Sequence, residues 1–368
     1  MKKLSILTFF TVILISFTAC SKFVNKPLFR TEKDIGLVFS GGGAKGAYQI
    51  GVWRALDEFH LSERVGVVSG TSVGSLNAAL FACGDWENAR KLWENEVGFY
   101  SFLLPDLTNI SDIVSYVQNV YESYLQLEDT SVSSEDSLSV LGKITAAFSN
   151  TFLAVADLTE YFLGGSHSGG LFTRDSLDEI IKKSISLESL KNSDKTVYVS
   201  ALEKNFLDLK RIVSLLNNRK SVRYFKLNEQ TSDEAVKELL LASSALPVAY
   251  PSVRLGSEII YEGRNLTGEA EYIDGGFDLA GGANTPVEPV EYSASSRIAI
   301  VVYLQSEKEL GKDGILKIRG KDKVINIIPS EDLGTIISGT VNFMNDKIDM
   351  LMELGYNDAC RALKKAGF

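Results

Sequence analysis

Twice in its first hundred residues the chain runs from a short apolar stretch into glycines and straight out into a helical pattern. The first passage is GLVFSGGGAKGAYQIGVWRAL, residues 36–56, and the second is RVGVVSGTSVGSLNAALFAC, residues 64–83. Parallel strands cannot be joined by a tight turn and need a crossover, which a helix supplies. Strand, helix, strand, helix is therefore the pattern of a parallel α/β sheet. Residues 47–59 place Ile50, Trp53, Leu56 and Phe59 on one helical face, and residues 85–97 do the same with Trp86, Ala89, Leu92 and Trp93.

Further strands are expected in TVYVSALE, KRIVSLL, SVRYFKL, EYIDGG, RIAIVVYL and KVINIIPS. A helix is expected in EAVKELLLASSA, opened by a capping box at Thr231 and Glu234 and stopped by Pro247, and the tail from Asp332 reads as helical. Residues 98–170 break the alternation. They hold an exposed loop, SVSSEDS, and a helical stripe of Ile144, Phe148, Phe152, Val155, Leu158 and Phe162. That stripe fits a helix packed on the core, or a lid over an apolar site.

With 368 residues, 45% of them hydrophobic, the chain can bury one large core. Its net charge of −9 argues against nucleic acid as a partner and against electrostatic attraction to an anionic membrane. Attachment to a membrane is expected by another route. Lys2 and Lys3 precede an apolar run from Leu4 to Phe17, and small residues lead into Cys20. Basic, apolar, small is the order of an export signal, and the apolar run is shorter than the roughly 20 residues of a spanning helix. The end of the run resembles a bacterial lipobox, with Phe17 where that motif most often has leucine. This reading makes residues 1–19 a signal peptide, Cys20 the acylated first residue, and residues 20–34 a polar tether. Ser21 rather than an aspartate follows the cysteine, which favours the outer membrane of a cell envelope that has one. Cys83 and Cys360 remain, and the sequence fits both a disulfide and two separate buried thiols.

The chemistry centres on Gly70-Thr71-Ser72-Val73-Gly74, a G-x-S-x-G at a strand–helix junction. A nucleophilic serine must stand clear of the sheet on a sharp turn, and that turn crowds its neighbours, so glycine is needed two residues to either side. Serine needs a base. The two histidines, His60 and His167, both read as exposed, none follows residue 167, and an acid between Ser72 and His167 would have to sit in the irregular insertion, so a Ser-His-Asp triad is not expected. The remaining base is Asp274 in YIDGGF, although Asp-Gly is also a common turn pair. The loop Gly41–Gly46 fits G-x-G-x-x-G. A dinucleotide site, however, needs an acid at the end of the second strand, and a phosphate loop needs G-K-[ST]; neither is present. What remains is a nest of amides at a helix start, suited to a transient oxyanion.

Taken in order, Gly41-Gly42-Gly43-Ala44-Lys45-Gly46, Gly70-Thr71-Ser72-Val73-Gly74 and Asp274-Gly275-Gly276 resemble the patatin-like phospholipases. ASSALPVAYPSV at 242–253 and the Asn-x-Pro of ANTPVEPV are similar to further segments of that family. The resemblance spans residues 35–290, with 98–170 as an insertion and 291–368 as further strands and helices of the same domain. It implies a three-layer α/β/α fold around a central, mostly parallel sheet. It also implies a lipid acyl hydrolase that cleaves acyl esters, with phospholipids the expected substrates, through an acyl-enzyme. Ser72 would be the nucleophile and Asp274 its proton acceptor. Gly41, Gly42, Gly43, Lys45 and Gly46 would form the oxyanion loop, and Gly70 and Gly74 the elbow. The Lys45 charge would favour an anionic head group or simply be a solvated lysine at a helix start. No metal or cofactor is implied. The competing expectation is a lipid-binding envelope protein that keeps the fold without turnover.

Overall fold

A computed structural model describes residues 32–97, 175–204, 222–246, 250–276, 282–311, 314–334 and 345–368. The insertion stripe at 144–162, the strand expected in KRIVSLL, His167 and Cys20 lie outside them. Residues 33–368 form one compact unit.

The first two strands are β1 (Ile35–Phe39) and β2 (Val65–Gly70), and every residue in both is buried. Side chains alternate between the faces of a strand. Ile35, Leu37 and Phe39 accordingly enter the larger core cluster, while Val38 enters a smaller one on the opposite face with Val67, Val301 and Tyr303. A strand buried on both faces must be apolar throughout, so IGLVF reads as an unbroken run rather than an alternating one. Each such Leu, Ile or Phe contributes about 1.5–3 kcal/mol by leaving water.

The remaining strands are β3 (Thr196–Glu203), β4 (Val222–Lys226), β5 (Val253–Leu255), the short pair β6 (Ile260–Tyr261) and β7 (Arg264–Asn265), β8 (Ala270–Asp274), β9 (Ile298–Val302) and β10 (Lys323–Ile327). Among the described residues the main sheet runs β10-β9-β1-β2-β3-β8-β5, with β4 also on β3. The pairs from β10 to β3 are parallel; β3 with β4, β3 with β8, and β8 with β5 are antiparallel. The sheet is thus mixed and mostly parallel, with helices on its faces.

The helices are α1 (Ala47–Glu58), α2 (Val73–Cys83), α3 (Trp86–Leu92), α4 (Asp175–Ser184), α5 (Leu187–Asn192), α6 (Asp233–Ser243), α7 (Glu288–Glu291), α8 (Glu307–Leu310) and α9 (Asn345–Lys365). One correction to the sequence reading concerns α6. The cap of α6 is Ser232, whose Oγ accepts the Ala235 amide at 3.1 Å, one residue later than the Thr231 box. The Glu234 carboxylate pairs with Lys237 instead of reaching back to the cap. Cys83 and Cys360 are both unpaired, and burial pushes the Cys83 thiol up to about 11.

Helix α9 comes from beyond the motif-bearing stretch and packs directly on α1. A methyl group at Gly51 would lie 1.8 Å from the Met352 carbonyl oxygen, and one at Gly355 would lie 2.0 Å from that of Tyr48. Only glycine lets the two backbones approach this closely. The buried Tyr48 hydroxyl donates to Asp358 at 3.0 Å and ties the crossing together. Because α1 begins where the glycine loop ends, this contact anchors the loop from behind.

Candidate active site

Ser72 stands between β2 and α2 with φ 54° and ψ −128°, a positive φ that a side chain adopts only under strain of roughly 1–3 kcal/mol. The elbow is tight enough to account for both of its glycines. A methyl at Gly70 would come within 2.1 Å of the Gly74 carbonyl oxygen, and one at Gly74 within 2.4 Å of that of Phe39. The turn is closed by Gly74 N–H to Thr71 O at 2.8 Å and Ser75 N–H to Ser72 O at 2.9 Å. The Ser75 hydroxyl adds a second bond to Ser72 O at 2.6 Å. The Val73 amide opens α2 beside Ser72 and has no acceptor among the described residues, as the first amides of a helix generally do not.

The glycine loop lies against this elbow because β1 pairs in parallel with β2, Phe39 opposite Gly70. Both ends of the loop are pinned by one buried polar network. Gln49 Nε2 donates to Ser40 O at 2.7 Å, and Asn77 Nδ2 donates to Gly46 O at 3.0 Å and to Gln49 Oε1 at 2.8 Å. Trp93 Nε1 completes it by donating to Asn77 Oδ1 at 3.1 Å. Fully paired buried amides of this kind fix a backbone in one conformation.

The amides of the loop are not equivalent. Gly41 N–H donates to Asn284 O at 2.9 Å and Lys45 N–H to Gly42 O at 3.3 Å, so neither is available to an oxyanion. The amides of Gly42 and Gly43 have no acceptor among the described residues. The Lys45 side chain is not a solvated helix-start lysine. It is 7% exposed, with Nζ 4.0 Å from Glu309 Oε1. Gly46 is a packing glycine, since a methyl there would meet Val73 at 2.5 Å.

Asp274 ends β8, which runs antiparallel to β3 and so is not one of the parallel strands of the sheet. It reaches the same edge of the sheet by a different route. One edge of β3 pairs with β4 from Tyr198 to Leu202. The other pairs first with β2, which ends with Gly70 opposite Val199, and then with β8, which ends with Asp274 opposite Ala201. Strands β2 and β8 therefore meet nearly end to end. Ser200 fills the gap between them, its Oγ 2.5 Å from Thr71 Oγ1. Thr71 Oγ1 in turn donates to Ala283 O at 2.9 Å.

Asp274 is buried, and its Oδ1 accepts the Gly276 amide at 2.8 Å. Asn284, from the Asn-x-Pro segment, joins the two sides. Its Oδ1 would lie 2.6 Å from a methyl at Gly41 and 2.7 Å from one at Gly276, and the Gly41 methyl would also lie 3.2 Å from Ser72 Cβ. Gly41, Ser72, Asn284, Gly276 and Asp274 thus form one cluster. His60 is exposed with φ 55° in the turn after α1. Sequence reasoning did not single out Ser200, Gln49, Asn77 or Ser243; the last lies in ASSALP, which carries a recognisable pattern but no chemistry of its own.

Comparison with known proteins bears on the same stretch. A family model described as Patatin-like phospholipase matches residues 37–290. A lysophospholipase NTE1 of Phaeosphaeria nodorum is 50% identical over 50 residues, covering 14% of this chain and 3% of that protein. A patatin-like phospholipase domain-containing protein of Caenorhabditis elegans is 52% identical over 52 residues, 14% of this chain and 4% of that protein. The chain therefore corresponds to only a few per cent of the length of these relatives. Human GIVD cytosolic phospholipase A2 is similar at a TM-score of 0.45 and 10% identity, over 93% of this chain and 60% of that one.

Proposed function

The chain belongs to the patatin-like phospholipase family, and from that premise we propose that it hydrolyses lipid acyl esters, phospholipids foremost, with Ser72 as nucleophile and Asp274 as its base. The observation that carries this reading is the end-to-end meeting of β2 and β8 along one edge of β3, which brings the elbow serine and a buried carboxylate to the same level of the sheet.

In this mechanism Ser72 Oγ attacks the ester carbonyl while Asp274 takes its proton. The carbonyl oxygen becomes an oxyanion and is met by the amides of Gly42 and Gly43, with Val73 beside them. Such donors are worth a factor on the order of 100–1000 each, because they are oriented before the charge appears. The intermediate collapses to an acyl-serine, and Asp274 returns the proton to the departing alcohol. Water then repeats the sequence on the acyl-enzyme. The strain at Ser72 supports the reading, since strained side-chain positions persist where the surroundings over-determine them.

The direct test is hydrolysis of a short acyl ester and of defined phospholipids by the wild type, Ser72→Ala and Asp274→Asn. Each variant is expected to lose at least about 10⁴-fold in kcat. An inactive wild type that still binds lipid, with Ser72 unlabelled by a fluorophosphonate, would favour the non-enzymatic alternative. We also propose that Cys20 carries a lipid anchor that holds the protein in the cell envelope, at the outer membrane; the support is the order of residues 1–20. Mass spectrometry of the mature N-terminus should find an acylated Cys20, and Cys20→Ser should release the protein from membranes.

A further inference from the structure

Helix α6 ends beside both halves of the proposed site. Ser243, its last residue, is fully buried, and its Oγ accepts the Ser72 amide at 3.1 Å. Two residues later the Ala245 carbonyl accepts the Asp274 amide at 2.9 Å. The turn between them is itself closed. Ser244 N–H donates to the carbonyls of Leu240 and Leu241, Ser244 Oγ donates to Leu240 O at 2.9 Å, and Leu246 N–H donates to Ser244 O at 2.9 Å.

This arrangement answers a need that the sheet leaves open. Strands β2 and β8 are not paired with each other; each pairs with β3 over a different stretch. No hydrogen bond between the two strands fixes the separation of Ser72 from Asp274 directly; it is set only through their separate registers on β3. Ser72 also holds a strained backbone conformation, of the kind that persists only where surrounding contacts over-determine it. The elbow's own Ser75 ties the carbonyl, and the amide is tied by a side chain from α6.

We propose that residues 243–245 act as a clip that sets the spacing of the nucleophile and the base, with Ser243 as a positioning residue acting through the Ser72 backbone. This inference rests on the Ser72–Asp274 reading. It accounts for a serine at 243: a small buried hydroxyl is the acceptor that fits there, and alanine would leave the Ser72 amide without one.

The test separates rate from folding by counting competent sites. Wild type, Ser243→Ala and Ser243→Cys are titrated with a fluorophosphonate to obtain the labelled fraction, and kcat is expressed per labelled serine. Ser243→Ala is expected to lower kcat per site on the order of 100-fold with KM unchanged, as a small misplacement of reacting groups does. Ser243→Cys keeps the shape with a weaker acceptor and should fall between the two, which covers an alanine variant that does not fold. If both variants lower only the labelled fraction or the melting temperature, with kcat per labelled serine unchanged, the clip is overturned. If the wild type itself is not labelled at Ser72, the dyad reading fails and the clip falls with it, an outcome distinct from the first.

Discussion

The serine side and the acid side of the site are built by different means. On the serine side, backbone packs on backbone. β1 and β2 are adjacent parallel strands, Gly70 lies on Gly74, and Gly74 lies on the carbonyl of Phe39. On the acid side, Asp274 ends an antiparallel strand, and its loop packs partly on side chains, with Gly276 facing Asn284 Oδ1 and Thr71 Cγ2. Backbone atoms cannot step aside, whereas side chains can change rotamer. Ser72 is therefore held by an unyielding turn, whereas on the acid side Gly275 packs on the Ser200 backbone, where a methyl would lie 2.6 Å from the carbonyl oxygen, and only Gly276 faces side chains that tolerate adjustment.

Replacing one glycine on each side breaks this comparison most sharply. Gly70→Ala puts a methyl 2.1 Å from a carbonyl oxygen and 2.6 Å from the Ser75 nitrogen. It is expected to cost about 3 kcal/mol or more and to abolish Ser72 labelling. Gly276→Ala meets the Asn284 and Thr71 side chains at 2.7 and 3.0 Å. It is expected to cost about 1 kcal/mol, to keep the fold, and to lower kcat. Urea unfolding of the two variants checks the contrast; equal losses would contradict it.

The junction itself gives a smaller effect. Ser200→Ala removes the hydroxyl beside Thr71 Oγ1, while Thr71 keeps its bond to Ala283 O. A loss of about 1 kcal/mol is expected, with Ser72 still labelled. The smallest effect is expected far from both sides, at Asp34. Arg64 donates to both of its carboxylate oxygens, at 2.9 and 2.7 Å, and holds the carboxyl below its ordinary value of 3.8. A folded pKa below the unfolded one adds stability that is fully present above the ordinary value and is lost as pH falls through the depressed one. Arg64→Ala should therefore lower stability slightly at neutral pH, with the difference from wild type vanishing in strong acid. Paired melts across that range measure it, and activity per labelled serine should not change.

Much of the serine side was legible in the chain. Glycines two residues either side of Ser72, between an apolar run and a helical pattern, report a crowding that acts within a few residues. The glycine loop was legible as an amide nest for the same reason, but which amides stay available was not. Gly41 is committed to Asn284, more than two hundred residues away, and Lys45 faces Glu309. The antiparallel direction of β8 left no mark, because EYIDGG reads the same in either orientation. The capping box at Thr231 misled because Lys237 competes for the carboxylate of Glu234.

The sequence by itself determined the alternation of strands and helices, the elbow and the absence of a late histidine, since each depends on neighbours along the chain. The tertiary structure alone decided that Asp274 reaches the level of Ser72. That outcome depends on β2 and β8 sharing one edge of β3 and on α6 ending against both. Those contacts join residues about 30 to 170 positions apart, a range over which periodicity and local propensity carry no information about register.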